Sequence, residues 1–432
     1  MARRLDARAP DFARAFNALL SANRETDEDV TVSVRAIVAD VRKRGDAALI
    51  ELTQRFDKTS LSTVTLRVSS SEIEAARSQV TAPQQAALVT AAKRIDTYHR
   101  RQMPKDESFT DDTGATLGWR WTPLDSVGLY VPGGTASYPS SVLMNAIPAR
   151  VAGVARVVMV TPASGGTISP LVLEAARQAG VGEIYRIGGA QAIAALAFGT
   201  ETIAPVDKIV GPGNAYVAAA KREVFGRVGI DSIAGPSEIL VVADAANDAE
   251  WIAADLLSQA EHDASSQSIL ITDNADFAAK VEAAVERALA LLPRKEIAGA
   301  SWRDHGAVIV VAKLEDAAAL VDRIAPEHLE IATADPQILL SRVRHAGAIF
   351  LGRHTPEAMG DYIAGPNHVL PTARTARFSS GLSVLDFMKR TSLLCCDARS
   401  IAALGPVAIE LAQAEGLEAH ARSIAARLNT KR

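Results

Sequence analysis

From residue 155 onwards, short β-branched runs alternate with longer amphipathic stretches, a pattern that indicates buried strands separated by helices. The first series predicts strands at 156–160, 184–187 and 208–210, and helices at 170–179, at 190–198 and from the 211–214 turn to 225. The second series predicts strands at 239–242, 268–272, 307–311 and 348–351, and helices near 248–260, 277–292, 314–324 and 336–344. Such alternation is typical of parallel sheets covered by helices. We therefore expect an α/β protein with two incomplete Rossmann-like domains.

The two ends of the chain lack this alternation. The first hundred residues are predicted to be helical, and Gly45 is expected to break the helical pattern of Val30–Phe56. The polar stretch from Lys105 to Trp121 either connects domains or forms a β-hairpin. After Phe378 a helical pattern returns, and Ala398–Leu428 is rich in alanine but poor in large apolar side chains. This tail is therefore expected to pack on another surface.

These patterns predict four parts of the chain. They are a helical N-terminal region (1–110) partly packed on the second α/β unit, a first α/β domain (125–230), a second α/β domain (231–378) and a helical C-terminal tail (379–432).

Composition excludes several classes of protein. The 432 residues contain 46 Lys and Arg against 50 Asp and Glu, and no basic run, so nucleic-acid binding is not expected. The charged N-terminus is not typical of a signal peptide, and the sequence contains no apolar stretch of the roughly 20 residues that a membrane helix needs. Cys395 and Cys396 are adjacent and would form a strained disulfide at best, which favours a reducing cytoplasm.

Three glycine-containing turns are candidates for nucleotide binding. Gly211-Pro-Gly-Asn214 follows a strand and opens a helix, so its amides could hold a phosphate, although Tyr216 occupies the third glycine position of G-x-G-x-x-G. The ring of Tyr130, in Tyr130-Val-Pro-Gly-Gly134, could lie against a flat ligand ring. Gln191, in Gly188-Gly-Ala-Gln191, could bind a carboxamide. The structural alternatives are a tight turn, a plain loop and a helix cap.

Several side chains could carry acid–base or metal chemistry. Gln259 and His262 lie three apart on a helix predicted to reach His262, so they share a face; a lone histidine there is more often a core residue than a ligand. Pro326 disfavours helix before it, so Glu327 and His328 are expected in a loop. They are either a proton-transfer pair or a surface pair.

Two further pairs lie towards the C-terminus. Asp361 and His368 belong to a loop bounded by glycine and proline. Glu415 and His420 are five apart and need a helix break near Gly416 to face one site. The residues alone indicate an α/β enzyme, leave a metal ion and a nucleotide as open possibilities, and select no substrate.

A family resemblance narrows these alternatives. Residues 230–240, continuing into Asp255-Leu-Leu-Ser-Gln-Ala-Glu-His262, resemble the signature of the histidinol dehydrogenases. Similar stretches follow in family order over nearly the whole chain: 41–46, 130–134, 188–191, 211–214, 325–330, 360–362 and 365–371. The resemblance implies oxidation of L-histidinol to L-histidine through bound L-histidinaldehyde, with reduction of two NAD and one zinc ion per subunit.

The resemblance also implies roles for individual residues. The implied zinc ligands are Gln259, His262, Asp361 and His420, with the amino and imidazole nitrogens of the substrate completing the coordination. The implied substrate contacts are Ser237, Gln259, His262, His328, Asp361, His368, Glu415 and His420. The implied NAD contacts are Tyr130, Gln191 and Asn214, which makes 125–230 the NAD-side domain.

Glu327 and His328 match the catalytic pair of the family. A neutral imidazole, with a reference pKa of ~6.5, suits His328 as the base on the alcohol, and Glu327 is expected to activate the water that hydrates the aldehyde. The resemblance further implies a homodimer in which the tail of one chain completes the zinc site of the other.

Three other functions would require different features of the chain. A related zinc- and NAD-dependent dehydrogenase of another polar alcohol, such as a sulfonated diol, should carry a cation where Glu415 stands. A zinc hydrolase would neither bind nor reduce NAD. A non-enzymatic descendant should lack part of the ligand set or of the catalytic pair.

Overall fold

The computed structural model describes residues 2–21, 28–133 and 137–428. Gly134, the last residue of the 130–134 turn, lies outside these ranges. The described residues form fourteen strands: β1 (Arg3–Asp6), β2 (Glu107–Thr110), β3 (Thr116–Pro123), β4 (Ser126–Tyr130), β5 (Arg156–Val160), β6 (Glu183–Tyr185), β7 (Lys208–Val210), β8 (Gly229–Ile230), β9 (Glu238–Ala243), β10 (Gln267–Thr272), β11 (Ala307–Val310), β12 (His328–Ala332), β13 (Ala348–Leu351) and β14 (Met388–Cys395).

The same residues form seventeen α-helices: α1 (Phe12–Leu20), α2 (Glu28–Arg44), α3 (Asp46–Asp57), α4 (Ser70–Arg77), α5 (Ala82–Arg100), α6 (Pro139–Ala152), α7 (Pro170–Ala179), α8 (Gly189–Phe198), α9 (Ala215–Val224), α10 (Ala249–Ala260), α11 (Ala275–Leu289), α12 (Lys295–His305), α13 (Ala317–Ile324), α14 (Pro336–Leu340), α15 (Glu357–Tyr362), α16 (Ala398–Ala414) and α17 (Glu418–Leu428). None of them is long and apolar enough to cross a membrane.

Two parallel sheets organise the molecule. The first has the order β6-β5-β4-β7-β8 and the second the order β1-β11-β10-β9-β12-β13. Apart from the edge strand β1, both follow the order third, second, first, fourth, fifth, which is the order of the first five strands of a Rossmann sheet. The prediction of two incomplete Rossmann-like units is confirmed by these sheets.

Helices cover both faces of each sheet. The first sheet lies between α4–α7 on one face and α2, α3, α8 and α9 on the other. The second lies between α10–α12 and a layer formed by α1, α13 and α14. Strands β9 and β10 are buried along their whole length, which explains their continuous apolar runs. The boundaries of the four predicted parts stay a prediction.

The ends of the chain contain more strand than the sequence predicted. Residues Arg3–Asp6 pair with β11 instead of being helical, and β14 precedes the tail helices, although the sequence predicts helix from Phe378 onwards. Strands β2 and β3 form the hairpin that was one of two alternatives, and β14 extends it into a three-stranded antiparallel sheet. Gly45 separates α2 from α3 as predicted, with φ at +55°.

Candidate active site

Two acids and a histidine meet where β9 and β12 begin. The N–H of Glu238 donates to Oε2 of Glu327 at 2.9 Å, and the N–H of Glu327 donates to Oε2 of Glu238 at 3.3 Å. The expectation that Glu327 and His328 lie in a loop is wrong for His328, which begins the central strand β12. Pro326 does follow the end of α13, but the next residues pair with β9 and β13, and sequence periodicity does not show that pairing.

The imidazole of His328 is held in one tautomer. Its Nδ1 lies 2.9 Å from the backbone oxygen of Glu238, which can only accept a hydrogen bond, so Nδ1 carries the proton. Nε2 of Gln259 lies farther away, 3.5 Å from Nδ1, and the two atoms do not form a hydrogen bond because both are donors. In the neutral ring, Nε2 therefore has the free lone pair and is the atom able to take up a proton.

Helix α15 brings two carboxylates to the same place. Glu357 and Asp361 are four residues apart and share a face, with Glu357 Oε1 at 3.7 Å and Asp361 Oδ1 at 4.0 Å from Nε2 of His328. His328, Glu357 and Asp361 form a group whose ligand atoms lie within 4.8 Å of one another, close enough to hold a metal ion. A side chain at Gly360 would collide with the ring of Phe350, so this glycine lets α15 approach β13 closely.

Gln259 lies beside this group on α10 and is almost fully buried. Its Nε2 donates to Oε1 of Glu357 at 2.8 Å. Among the described residues, Oε1 of Gln259 and Nε2 of His328 are buried and have no hydrogen-bond partner. Buried polar atoms are normally paired, so these two atoms are expected to have partners that are not protein groups. A cation and a polar ligand bound beside the two carboxylates would fit.

Burial shifts the pKa values of the site towards neutral forms. It raises the pKa of Glu327 well above its usual value, and burial together with the charge of Glu357 raises that of Asp361. Burial lowers the pKa of His328, and it lowers that of His368 to about 4. The imidazoles are therefore neutral near pH 7, while a cation among the carboxylates would favour their charged forms.

His368 connects the second α/β unit to the first. Its Nδ1 lies 3.1 Å from the backbone oxygen of Asp361, and its Nε2 lies 3.3 Å from Oγ of Ser141 on α6. Next to it, Nδ2 of Asn367 donates to the backbone oxygen of Met144 on the same helix at 2.6 Å. Helix α6 follows the turn after β4, so the site lies where the two sheets approach each other.

The glycine turns of the first sheet also converge. Tyr130 ends β4, and its hydroxyl accepts the N–H of Gly189 at 3.0 Å at the start of α8. Burial raises the pKa of Tyr130 to about 12, so the hydroxyl keeps its proton and can still donate it. Gln191 is buried in the first turn of α8, where its side chain folds back over Gly189. Tyr130 and Gln191 are thus brought to one turn.

The Gly211 turn is held by a buried ion pair. Lys221 pairs with Asp231; Lys221 Nζ donates to the backbone oxygen of Gly211 at 3.1 Å, and Asp231 Oδ2 accepts the N–H of Gly211 at 2.7 Å. Gly211 has φ of +111°, and a side chain there would collide with the backbone of Tyr130. Asn214 caps α9 through Oδ1, so only its Nδ2 group remains to donate to a ligand.

The turns that follow β4 and β7 lie on either side of the point where the strand order of the first sheet reverses. The crevice outside the carboxyl ends of parallel strands at such a point is the usual ligand site of open α/β sheets. In the second sheet, by contrast, Glu238 and His328 lie at the amino ends of β9 and β12.

Four of the sequence-predicted residues are not part of the group formed by His328, Glu357 and Asp361. Ser237 immediately precedes β9, beside Glu238. The α10 helix ends at Ala260 instead of reaching His262, so His262 is exposed, whereas Gln259 is buried. Glu415 and His420 are both exposed on the tail, on either side of Gly416, whose φ of +72° provides the predicted helix break.

Sequence reasoning missed Glu357, Glu238 and Glu330, all of which are buried. Oε1 of Glu330 accepts the N–H of Glu357 at 2.6 Å and so fixes the start of α15. The spacing of Glu357 and Asp361, four apart after Pro356, was a usable signal, because it is the helical spacing that places two acids on one face. Glu238 and Glu330 carried no comparable signal, because each lies within or beside an apolar strand.

Comparisons with known proteins identify one family over nearly the whole chain. A family model described as histidinol dehydrogenase matches residues 20–428. Histidinol dehydrogenase of Rhodospirillum rubrum is 67% identical over 427 residues, covering 99% of this chain and 98% of the relative. That of Ruegeria pomeroyi is 64% identical over 425 residues, covering 98% of each. The crystal structure of histidinol dehydrogenase from Elizabethkingia anophelis is 38% identical, with a TM-score of 0.94 over 99% of this chain and 98% of that one.

Proposed function

Because this chain belongs to the histidinol dehydrogenase family, oxidoreductases of histidine biosynthesis, we propose that it oxidises L-histidinol to L-histidine through bound L-histidinaldehyde, reducing two NAD. The observation that carries the proposal is the pairing of His328, with its unprotonated Nε2, and the carboxylates of Glu357 and Asp361. Family membership favours histidinol over another polar alcohol, and it argues against a hydrolase or a non-enzymatic protein.

One zinc ion per subunit is part of the proposal. Gln259, His262, Asp361 and His420 would hold it, and the orphaned Oε1 of Gln259 supports this set. When bound, zinc would mainly fix the amino alcohol in place and polarise it. Ser237, His368 and Glu415 are the further substrate contacts that we propose. The carboxylate of Glu415 suits a cationic group of the substrate, and the neutral imidazole of His368 can form a hydrogen bond with a polar group of it.

We assign the proton transfers to His328 and Glu327. Nε2 of His328 takes the hydroxyl proton as the alcohol carbon loses hydride, which yields the aldehyde. Glu327 takes a proton from the water that adds to the aldehyde, and loss of a second hydride from the hydrate gives the carboxylate. The raised pKa of Glu327 supports this role, because its carboxylate, when ionised, is a stronger base than an exposed carboxylate.

NAD would accept the hydride in each step, and we place it at the turns that follow β4 and β7. Tyr130 keeps a hydroxyl proton to donate, Gln191 offers an amide at the start of α8, and Asn214 has its Nδ2 group. The reversal point of the sheet order supports this placement. The exposed, unpaired cysteines Cys395 and Cys396 support a reducing cytoplasm as the location.

We further propose a homodimer in which the tail of each chain completes the partner's site. The tail carries exposed apolar side chains beside the exposed Glu415 and His420. These side chains, on β14, α16 and the turn before α17, are Leu393, Leu394, Leu404, Val407, Leu411 and Leu417. Large apolar side chains that are exposed in one chain are often covered at protein–protein interfaces. Exchange of a terminal element within a two-fold dimer would cover it and supply the ligand His420.

The stoichiometry of NADH formation tests the reaction. With a limiting, known amount of histidinol and excess NAD, we expect about two NADH for each substrate molecule, since each oxidation step delivers one hydride to the cofactor. The measurement is the end point of an absorbance progress curve, with histidine quantified in the same sample. One NADH with accumulation of free aldehyde would contradict the four-electron reaction, and no NADH would contradict the function.

Complementation tests the shared site. His328→Ala and His420→Ala proteins are each expected to be inactive, but to regain about a quarter of wild-type activity when unfolded and refolded together. In an exchanged dimer, each mixed pair has one site with both lesions and one site with neither, and mixed pairs are half of the population. If mixed dimers are demonstrated by differently tagged chains and activity stays absent, each site is built from a single chain.

A further inference from the structure

The side-chain amide of Gln259 has two chemically different ends, and only one of them can bind a metal ion. Its oxygen has lone pairs, whereas its NH₂ group has none to offer and can only donate. A buried glutamine that serves as a ligand therefore needs a neighbour that selects its orientation. Oε1 of Glu357, 2.8 Å from Nε2 of Gln259, is an acceptor in the right place to do so.

We propose that Glu357 is a positioning residue, which holds the Gln259 amide so that its oxygen faces the zinc site. The inference rests on the proposed function, because that function makes Gln259 a ligand. An ionised carboxylate can accept hydrogen bonds but cannot donate them. If the amide turned over, its oxygen would face the carboxylate, and its NH₂ group would face the metal. Both contacts would be unfavourable, so one carboxylate selects the binding orientation.

Contacts on its other sides hold Glu357 itself in place. Its second oxygen, Oε2, lies 3.1 Å from Oγ of Ser258, whose one proton is shared with the backbone oxygen of Asp255 at 2.7 Å, and its backbone N–H donates to Oε1 of Glu330 at 2.6 Å. Glu357 is almost completely buried. Ser258 and Gln259 are consecutive on α10, so the two oxygens of a single carboxylate are bound by consecutive residues of one helix. This arrangement leaves the carboxylate little freedom to rotate.

The orphaned oxygen of Gln259 is the second observation. Because Nε2 of Gln259 is occupied by Glu357, Oε1 has no partner among the described residues although it is buried. A buried carbonyl oxygen without a partner is unfavourable, because it has lost its hydrogen bonds to water and gained none in exchange. A metal ion would use this oxygen. Partners that orient a ligand from behind in this way typically alter metal affinity by 10–100-fold when they are removed.

The alternative is that Glu357 binds the metal directly, since it lies in the group with His328 and Asp361. The two roles predict different coupling between positions 259 and 357. A positioning residue acts through Gln259, so removing it has no further effect once Gln259 is absent. A direct ligand contributes in either background. Residues that act as one unit are non-additive, and a double-mutant cycle measures this property.

The experiment measures zinc affinity of the metal-free protein by competition with a coloured chelator. We expect Glu357→Ala to weaken zinc binding by about 10–100-fold. Glu357→Gln should weaken it less, because an amide oxygen can still accept from Nε2 of Gln259. In the Gln259→Ala background, Glu357→Ala should change the affinity by less than about twofold. Glu357→Gln retains the size of the side chain, so the comparison stands if the alanine protein folds poorly by circular dichroism.

Glu174→Ala is the matched control. Glu174 is equally buried, but it lies on α7, where it binds Arg177 and Gln178. Loss of this buried carboxylate should leave zinc affinity unchanged. Wild-type affinity in both Glu357 variants would overturn the inference, as would a 10–100-fold loss that persists in the Gln259→Ala background. If Gln259→Ala alone binds zinc as tightly as wild type, the proposed ligand set fails, a result distinguishable from failure of the positioning role.

Discussion

Turnover of L-histidinol is expected to fall to background when the protein is dialysed against a strong chelator, and to return when zinc is added. Three members of the proposed set, His262, Asp361 and His420, are ordinary zinc ligands, and the buried oxygen of Gln259 lacks any other partner. Without a cation, burial and the charge of Glu357 raise the pKa of Asp361. The protonated acid then binds the amino group of the substrate less strongly than a carboxylate would. The measurement is NADH formation in parallel with elemental analysis for zinc.

A control separates loss of the metal from loss of the fold. The far-ultraviolet circular dichroism of the metal-free protein should match that of the loaded protein. The apolar cores that hold the two parallel sheets and their helices together contain none of the proposed ligands. Full activity in a sample that elemental analysis shows to be metal-free would refute zinc dependence.

His328→Ala is expected to lower turnover by roughly 10²–10⁴, the usual effect of removing a positioned general base. Zinc content should stay at the wild-type value, because the imidazole is proposed as a base and not as a ligand. The geometry alone allows both roles, since Nε2 of His328 lies 3.7 Å from Glu357 and 4.0 Å from Asp361. Turnover and zinc content measured on the same preparation therefore decide between them.

His99→Ala is the matched control for the loss of a buried imidazole. His99 is fully buried on α5, where Nδ1 contacts Oε1 of Gln102 at 2.8 Å. Its replacement should leave turnover and zinc content unchanged, even where it lowers thermal stability. If His328→Ala instead loses zinc and its residual turnover is restored by high zinc concentrations, His328 is a ligand and the base has to be another group.

Much of the fold was predictable because its signals are local. Seven strands of the two parallel sheets and most of the helices between them follow from runs of a few apolar residues separated by glycine and proline turns. Strand β12 was missed because it is buried on both faces and contains Glu330, so neither alternation nor a purely apolar run marks it. Strands β1 and β14 were missed because pairing with distant partners, β11 and β3, creates them.

The candidate site was predictable only as far as the family motifs extend. Tyr130, Gln259, Glu327, His328 and Asp361 were found in this way. Glu357 was not, because its importance comes from the side chains around it. The exposed tail residues Glu415 and His420 reach a site only through a second subunit in our proposal, and sequence periodicity does not show that contact. One chain's sequence does not specify that geometry.

Strand β1 determines when the second sheet can be completed. Arg3 pairs with Ala307 in β11, and the backbone N–H of Ala7 donates to the oxygen of Val310. At typical synthesis rates of about 5–20 residues per second, roughly 15–60 s pass between the synthesis of β1 and that of its partner β11. The strands of the first sheet are much closer along the chain, so that sheet can form while the ribosome is still translating. During synthesis, the Arg3–Asp6 segment therefore stays unpaired until β11 has been made, and its backbone can meanwhile pair with other strands.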